Sequence, residues 1–369
     1  MKKKAFFFAF ILTFCFSCSY SQIDVSNLLL ANEVQNSNPH PKNIILLIGD
    51  GMGTAQIYAA YTKNHGELNM MRCTASGFSI TYSADNYITD SAAGGTALSC
   101  GTKTNNGYIG IAPNGDTLTS ILELAENKGL VTGLVSTSAV THATPASFIA
   151  HQNSREMYEA IASDFLKTDV EVFIGGGYNH FTVREDGRNL VNELLKKNYS
   201  VVKNIDSLNY VTSGKLAALL APEHMPKISE GRGAMLENSV SKAIELLNQY
   251  NTGFFLMVEG SQIDWGGHAN DLEYVVNETI DFDNAVGRAL EFAAKDGNTL
   301  VIVTADHETG GLTLTGGGIA SGDITAVFTT IGHSAVMVPV FAFGPGSEKF
   351  GGMMQNIEVF QKMKSALGL

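Results

Sequence analysis

Shortly after its N-terminus the chain reads Asn43-Ile44-Ile45-Leu46-Leu47-Ile48-Gly49-Asp50-Gly51-Met52-Gly53, an apolar run that stops at a glycine-rich turn. A continuous run of this kind is typical of a strand that is buried on both faces of a sheet. Asp50 follows the strand directly, at the end where parallel α/β sheets carry their functional groups. The turn is not a dinucleotide fingerprint, because Thr54 and Gln56 stand where the last glycine is needed.

Similar apolar runs alternate with helical patterns along the rest of the chain. This order predicts a mostly parallel sheet that is covered by helices on both faces. We therefore expect an α/β fold with three α/β/α layers and a large central sheet, formed by a single domain over residues 43–369. Further strands are predicted at Leu130–Ser136, Val170–Ile174, Phe254–Val258, Thr299–Thr304 and Val336–Phe343, and helices at Leu118–Asn127, Arg155–Leu166, Leu190–Lys197, Ala234–Gln249 and Leu272–Ala294.

The first 21 residues have the pattern of a secretory signal peptide. A basic start at Lys2–Lys4 precedes the apolar run Ala5–Phe16, and small residues lead to a cleavage site after Ser21. The apolar run is shorter than the roughly 20 residues that a membrane-spanning helix needs. We therefore expect a periplasmic or secreted protein in which residues 22–42 form a polar N-terminal segment. A lipoprotein that is cleaved before Cys18 is the alternative.

The composition limits the partners of the chain. Its formal net charge of −12 argues against nucleic-acid binding, which needs a basic surface that neutralises phosphates. An anionic substrate must then be attracted by a local cation. If the signal peptide is removed, Cys73 and Cys100 remain. They could pair as a disulfide in an oxidising compartment or stay as buried thiols, and the sequence leaves both options open.

A second segment, Thr89-Asp90-Ser91-Ala92-Ala93-Gly94-Gly95-Thr96-Ala97, puts a serine where a helix can begin. Asp90 or Ser91 can cap the first turn, and the free N–H groups and positive end of the helix would favour a phosphate. A serine hydroxyl is a weak nucleophile until a base or a metal ion takes its proton. Alone, the segment is better explained as a helix cap. Ser91 becomes a candidate nucleophile when metal ligands lie beside it.

Side chains that bind metals recur at the ends of the predicted strands. Each alone has an ordinary explanation as a turn residue, a helix cap or a surface histidine. Together, acidic groups around one crevice would repel one another unless cations lie between them. Mixed Asp and His ligands are typical of zinc and oxygen ligands of magnesium, so the pattern predicts a polynuclear metal site. The candidates are Asp50, Glu259, Asp264, His268, Asp306, His307 and His333.

Six motifs spread over nearly all of the chain from Asn43 onward point to one family. They are Ile48-Gly49-Asp50-Gly51-Met52-Gly53, Thr89-Asp90-Ser91-Ala92-Ala93, Thr141-His142-Ala143-Thr144-Pro145 with Arg155, Val258-Glu259-Gly260 through His268, Thr304-Ala305-Asp306-His307-Glu308-Thr309-Gly310-Gly311, and Gly332-His333. With these motifs the chain resembles the alkaline phosphatases. The resemblance implies two zinc ions and one magnesium ion. One zinc ion would be bound by Asp264, His268 and His333, the other by Asp50, Asp306 and His307, and the magnesium ion by Asp50, Glu259 and Thr144.

The resemblance also implies the reaction, which is hydrolysis of small-molecule phosphate monoesters through a phosphoserine intermediate on Ser91. A metal ion beside the serine would lower the pKa of its hydroxyl, so no Ser-His-Asp arrangement is needed. Arg155 would bind the non-bridging phosphate oxygens. A related phosphodiesterase or a phosphoglycerate-mutase-like phosphotransferase could share these ligands. A non-enzymatic metal or phosphate carrier would not require Ser91.

Two positions depart from the best-known bacterial pattern of the family. His142 stands where an aspartate near the magnesium ion is common, and Trp265 where a lysine near the phosphate is common. We group both with Arg155 as substrate-binding residues. We also expect weak magnesium binding, because imidazole is a poorer neighbour for a hard ion than a carboxylate. The segment Gly311–His333 leaves little room for the crown-like insertion of many relatives, and a homodimer stays an open option.

Overall fold

The central feature is a large twisted sheet between two layers of helices, which the computed structural model describes over residues 40–369. The predicted signal peptide and most of the predicted N-terminal segment lie outside these described residues. None of the helices in the described part is long and apolar enough to cross a membrane.

The strands follow in chain order with these bounds: β1 (Asn43–Gly49), β2 (Ala75–Ile80), β3 (Val131–Ala139), β4 (Val172–Gly176), β5 (Tyr199–Val202), β6 (Lys215–Leu219), β7 (Phe254–Gly260), β8 (Thr299–Thr304), β9 (Glu308–Thr309), β10 (Leu312–Gly318), β11 (Asp323–Phe328), β12 (His333–Ser334), β13 (Val338–Phe343) and β14 (Gly352–Gln355).

The α-helices are α1 (Thr54–Lys63), α2 (Ser91–Cys100), α3 (Ile121–Asn127), α4 (Ala143–Ala146), α5 (Tyr158–Asp164), α6 (Tyr178–Thr182), α7 (Leu190–Lys196), α8 (Met235–Leu247), α9 (Gln262–His268), α10 (Leu272–Asp296) and α11 (Asn356–Ala366). Short 3-10 helices cover Asn69–Arg72, Ile205–Tyr210, Ile228–Glu230 and Ser347–Phe350.

Ten strands of the described chain form the central sheet in the order β14-β2-β13-β8-β1-β7-β3-β4-β6-β5. β1 pairs in parallel with both β7 and β8, and β13 runs antiparallel to both of its neighbours. The predicted α/β fold with a large, mostly parallel sheet is therefore confirmed. Two small antiparallel pairs, β10 with β11 and β9 with β12, lie outside the sheet.

β1 lies in the middle of the sheet because its side chains pack into the hydrophobic cores on both faces. Ile44 and Leu46 pack into the core on one face, and Ile45 and Leu47 pack into the core on the other. Side chains alternate along a strand, so only a continuous apolar run can satisfy two buried faces. Each such side chain, when fully buried, contributes roughly 1.5–3 kcal/mol to folding. This packing holds the carboxyl end of β1 rigidly at the centre of the sheet.

The two cysteines of the described chain, Cys73 and Cys100, are free thiols. Burial raises the pKa of each thiol to about 12, so both stay protonated at neutral pH. Of the two options that the sequence left open, the structure has the pair of thiols.

Candidate active site

The site lies where three neighbouring strands end at the same level. In the register of the sheet, Ile48 of β1 pairs with Glu259 of β7 on one side and with Thr304 of β8 on the other. Asp50 and Asp306 each follow two residues after these positions, so three carboxylates gather above the sheet. All three are fully buried.

Gly51 allows this turn to approach the neighbouring groups closely. Its φ angle is 73°, and an added Cβ atom would lie only 2.8 Å from both Asp264 Cα and Thr309 Oγ1. Its backbone N–H donates to Asp306 Oδ1. A side chain at this position would therefore push the β1 turn away from the acidic residues.

Ser91 is the first residue of α2 and faces the acidic group. Asp90 caps the helix, since its side chain accepts a hydrogen bond from the N–H of Ala93. The Ser91 hydroxyl lies 3.2 Å from Nε2 of His307 and is 2 % exposed. Asp90 therefore supplies the cap, so the Ser91 hydroxyl is not used for capping, and its role as a nucleophile stays a prediction.

Three groups of side chains place their ligand atoms within 4.8 Å of one another. His307 Nε2 lies 3.4 Å from Asp50 Oδ1 and 3.3 Å from Asp306 Oδ2. In a second group, Nε2 of both His268 and His333 lies 3.4 Å from Asp264 Oδ1. The groups are Asp50 with Asp306 and His307, Asp264 with His268 and His333, and Asp50 with His142 and Glu259.

The carboxylates of these groups lack the partners that buried charges need. Among the residues that the structure describes, no group forms a hydrogen bond with the buried atoms Asp50 Oδ1, Asp306 Oδ2 and Glu259 Oε1. Burial and the neighbouring carboxylates raise the pKa of Asp50, and burial is the main cause that raises the pKa of Asp306 to about 7. Burial likewise raises the pKa of Glu259. Since buried carboxylates are stabilised by pairing or by metals, these oxygens fit bound cations.

The histidines of the first two groups differ in their electrostatics. Burial, together with the nearby His333, lowers the pKa of His307 far below its usual value, so its imidazole is neutral and able to bind a metal. The hydrogen bond to Asp264 raises the pKa of His268 to about 9. Burial acts to raise the pKa of Asp264, but the hydrogen bonds from His268 and His333 outweigh it and keep Asp264 ionised. A cation bound among Asp264, His268 and His333 would replace the protons that the two histidines share with Asp264.

Arg155 is the positive group of the site. It lies just before α5, where its Nη1 donates to Asp90 Oδ2 at 3.1 Å and its backbone N–H donates to Gly107 O. Burial acts to lower the pKa of its guanidinium, but the neighbouring Asp90 outweighs this effect and raises that pKa. The cap of α2 thus also fixes the arginine beside Ser91. This arrangement suits the recognition of a phosphate by planar donors.

His142 contacts both Arg155 and the third group. Arg155 Nη2 donates to His142 Nε2 at 3.4 Å, while His142 Nδ1 is buried and has no hydrogen-bond partner in residues 40–369. Burial, and then the charge of Arg155, lowers the pKa of His142 to about 3, so the ring is neutral. Thr144 lies close by, with its hydroxyl 3.5 Å from Asp50 Oδ2. His142 therefore lies between Arg155 and the carboxylates of the third group, and its predicted role in substrate binding stays a prediction.

Trp265 is half-buried at the rim. Its ring is T-shaped to the rings of His224 and His142, with ring centroids 4.9 Å and 6.1 Å apart. His224 was missed by the sequence analysis. Its Nδ1 accepts a hydrogen bond from the N–H of Ala139 at the end of β3. His224 lies in the loop that follows β6, and the sequence pattern did not predict that strand.

The structure brings every predicted site residue into this one region. The assigned roles themselves stay predictions. The residues are Asp50, Ser91, His142, Thr144, Arg155, Glu259, Asp264, Trp265, His268, Asp306, His307 and His333.

Comparisons with known proteins agree with this geometry. The sequence model of the family described as alkaline phosphatase matches residues 41–327. Alkaline phosphatase 3 of Bacillus subtilis (strain 168) is 34% identical over 412 aligned residues, which cover 88% of this chain and 89% of the relative. Alkaline phosphatase of Escherichia coli (strain K12) is 33% identical, with coverages of 90% and 87%.

A solved structure resembles the fold as well as the sequence. It is the alkaline phosphatase from the Antarctic bacterium TAB5, with a TM-score of 0.86 and 44% identity over 89% of this chain and 98% of that one. The structure of a TAB5 variant in which a histidine is replaced by aspartate has the same similarity and has Mg bound in its M3 site. This chain therefore belongs to the alkaline phosphatase family, and it is a metal-dependent phosphomonoesterase.

Proposed function

We propose that this chain hydrolyses phosphate monoesters through a phosphoserine on Ser91, with two zinc ions and one magnesium ion. The observation that carries the proposal is the Ser91 hydroxyl at 3.2 Å from His307 Nε2, at the start of α2 and beside the group of Asp50, Asp306 and His307. No carboxylate or histidine outside the metal groups is placed to act as its base within the described residues.

The donor sets favour the assignment of the metals. Two groups combine carboxylate oxygens with imidazole nitrogens, a mixture typical of zinc. The third group, Asp50 and Glu259 with His142, contains one imidazole, but its two carboxylates and the nearby hydroxyl of Thr144 make it mainly oxygen, which suits magnesium. When bound, these cations would lower the pKa of the serine hydroxyl and neutralise charge on the phosphoryl and leaving oxygens.

The protein groups then have separate tasks. Ser91 Oγ loses its proton and attacks phosphorus, the bond from phosphorus to the leaving oxygen breaks, and the departing alkoxide takes a proton and leaves as the alcohol. Arg155 holds two non-bridging phosphate oxygens in place, and His142 and Trp265 border the same pocket. Water then cleaves the phosphorus–oxygen bond to Ser91, which releases phosphate and regenerates the hydroxyl.

Turnover of a chromogenic phosphomonoester tests this function. The full-length mature protein should hydrolyse it at neutral to alkaline pH, lose activity after chelation and regain it with zinc and magnesium. A diester and a phosphoglycerate should turn over much more slowly. Preferred turnover of either would replace this proposal with the corresponding rival reaction, and no turnover at all would leave only a carrier.

Export is part of the proposal, because Lys2–Lys4 and the apolar run Ala5–Phe16 have the pattern of a signal peptide. The mature protein is expected in the periplasm or the medium, with an N-terminus at Gln22. The mass of the purified protein checks this. An intact N-terminus at Met1 on protein from the cytoplasm would contradict export, and a lipid on Cys18 would show lipoprotein processing instead.

The third metal site leads to a prediction about His142. Its neutral ring adds no negative charge beside Asp50 and Glu259, so the wild type should bind magnesium weakly. We expect His142→Asp to lower the magnesium concentration for half-activation by about tenfold or more. Changes of this size in metal affinity are typical when a residue next to the metal ligands is replaced. The TAB5 variant with Mg in its M3 site supports this expectation.

The measurement is a magnesium titration of metal-stripped, zinc-reconstituted wild type and His142→Asp. His142→Asn is the matched control, because it has the shape of aspartate without the charge. Its activation curve should stay with that of the wild type. Superimposed curves for all three proteins would show that His142 does not tune this site.

A further inference from the structure

The hydroxyl of Thr309 contacts ligands from two different groups. Its Oγ1 donates to Asp264 Oδ1 at 2.5 Å and lies 3.2 Å from His307 Nδ1. Asp264 belongs to the group with His268 and His333, whereas His307 belongs to the group with Asp50 and Asp306. Thr309 is fully buried, so no water competes for its hydroxyl.

The protons along this contact can be assigned from the chemistry of the groups. An ionised carboxylate only accepts hydrogen bonds, so the single hydroxyl proton of Thr309 points to Asp264. The hydroxyl oxygen then accepts from His307, which must carry its proton on Nδ1. This tautomer leaves Nε2 of His307 as the free nitrogen, on the side that faces Asp50, Asp306 and Ser91.

Hydrogen bonds on both sides of Thr309 fix the position of its backbone. Its N–H donates to Gly51 O, and its C=O accepts from Gln56 Nε2 at 2.8 Å. The adjacent Glu308 is buried and accepts hydrogen bonds from Gln56 and Ser334 and from two backbone N–H groups. Thr309 also pairs with His333 across β9 and β12. The residue is therefore held from several sides between the two groups.

We propose that Thr309 is a positioning residue shared by the two zinc centres, whose single hydroxyl orients His307 in one and Asp264 in the other. This inference rests on the proposed function, since it takes both groups as zinc sites. Loss of the hydroxyl would leave the Nδ1–H of His307 without an acceptor and Asp264 without one of its donors. Both centres should then bind zinc more weakly, because outer partners fix the orientation of metal ligands.

Thr309→Val tests the proposal, because valine keeps the shape of threonine without the hydroxyl. In this test the metal-stripped full chain is titrated with zinc in a calorimeter, in the presence of a competing chelator. Both zinc-binding steps should weaken by about 10- to 100-fold. Thr309→Ser keeps the hydroxyl and loses only the methyl group, which lies near Gly267, so it should bind zinc nearly as the wild type does. Thermal unfolding of the metal-free proteins reports the fold separately.

A control variant distinguishes the shared hydroxyl from an ordinary one. Ser261 donates to Glu259 at 2.6 Å and forms no hydrogen bond with the first two groups in the described residues, so Ser261→Ala should leave both zinc-binding steps unchanged. Wild-type zinc affinity in Thr309→Val, weakening of one step alone, or equal weakening in Thr309→Ser would overturn the inference. If Thr309→Val fails to fold, Thr309→Ala gives the same comparison. A wild type that binds no zinc would overturn the proposed function together with the inference.

Discussion

Ser91→Ala is expected to abolish steady-state hydrolysis of phosphate monoesters while leaving the fold intact. Turnover should fall by at least about 10³-fold, because removing a nucleophile leaves only the catalysis that binding and electrostatics supply. The hydroxyl is nearly buried, and its hydrogen-bond partner within the described part of the chain is His307 Nε2, so its removal leaves a small void in a polar site. Stability should therefore change little. The purified variant is assayed with a chromogenic phosphomonoester and by thermal unfolding.

Ser99→Ala is a suitable control for this experiment. Ser99 lies in the same helix, but its hydroxyl donates to Ser147 O at 2.6 Å, away from the metal groups. Its loss should cost about 1 kcal/mol of stability, as expected for a buried hydrogen bond, and leave turnover unchanged. The zinc content of Ser91→Ala should also equal that of the wild type. Retention of most of the activity in Ser91→Ala would exclude Ser91 as the nucleophile.

The centre of the sheet could be predicted from the sequence because its strands are unusually clear. Uninterrupted apolar runs form the core of three strands, at Ile44–Ile48, Phe254–Val258 and Leu300–Val303, and the observed strands are buried throughout. Such runs need two covering layers of helices, which determines the fold class. The acidic residue one to three positions after each run, which is Asp50, Glu259 or Asp306, is then placed at the site by the geometry of the sheet.

The edges of the sheet were not predicted, for a physical reason. β2 reads Ala-Ser-Gly-Phe-Ser-Ile, and two of its six residues are exposed, so it lacks the run that marks a strand. Its place depends on pairing with β13 and β14, which come more than 200 residues later. Contacts of that range cannot be read from a local pattern. The strands β5 and β6 were also missed, because they span only four and five residues, too few to show a clear periodic pattern.

Within the site, ligand-type residues were found and their neutral partners were not. Asp and His at strand ends are rare enough to suggest metals, whereas a threonine such as Thr309 is common everywhere. Its importance depends on the pairing of β9 with β12 and on the tautomer of His307. The Asp90 to Arg155 ion pair likewise joins segments 65 residues apart. These relations exist only in the folded chain.

His307→Ala should remove zinc as well as activity. His307 Nε2 is the nitrogen of the group with Asp50 and Asp306, whose unpartnered oxygens cannot hold zinc equally well alone. We expect zinc affinity at this centre to fall by more than about 100-fold, beyond the loss seen when only an outer partner is removed. Turnover should fall by more than about 100-fold as well, because charge on the phosphoryl group is no longer neutralised. Asp306→Asn should act in the same direction.

Zinc counted by mass spectrometry after dialysis checks this prediction, beside the activity of the same samples. His224→Ala provides the control, because His224 lies at the rim and belongs to none of the three groups, so its zinc content should match the wild type. One zinc ion per chain should remain in His307→Ala, since His268 and His333 keep Asp264 as their partner. Full zinc content in His307→Ala would remove His307 from the ligands. A wild type without zinc would refute both zinc sites, because the unpartnered oxygens would then need some other cation.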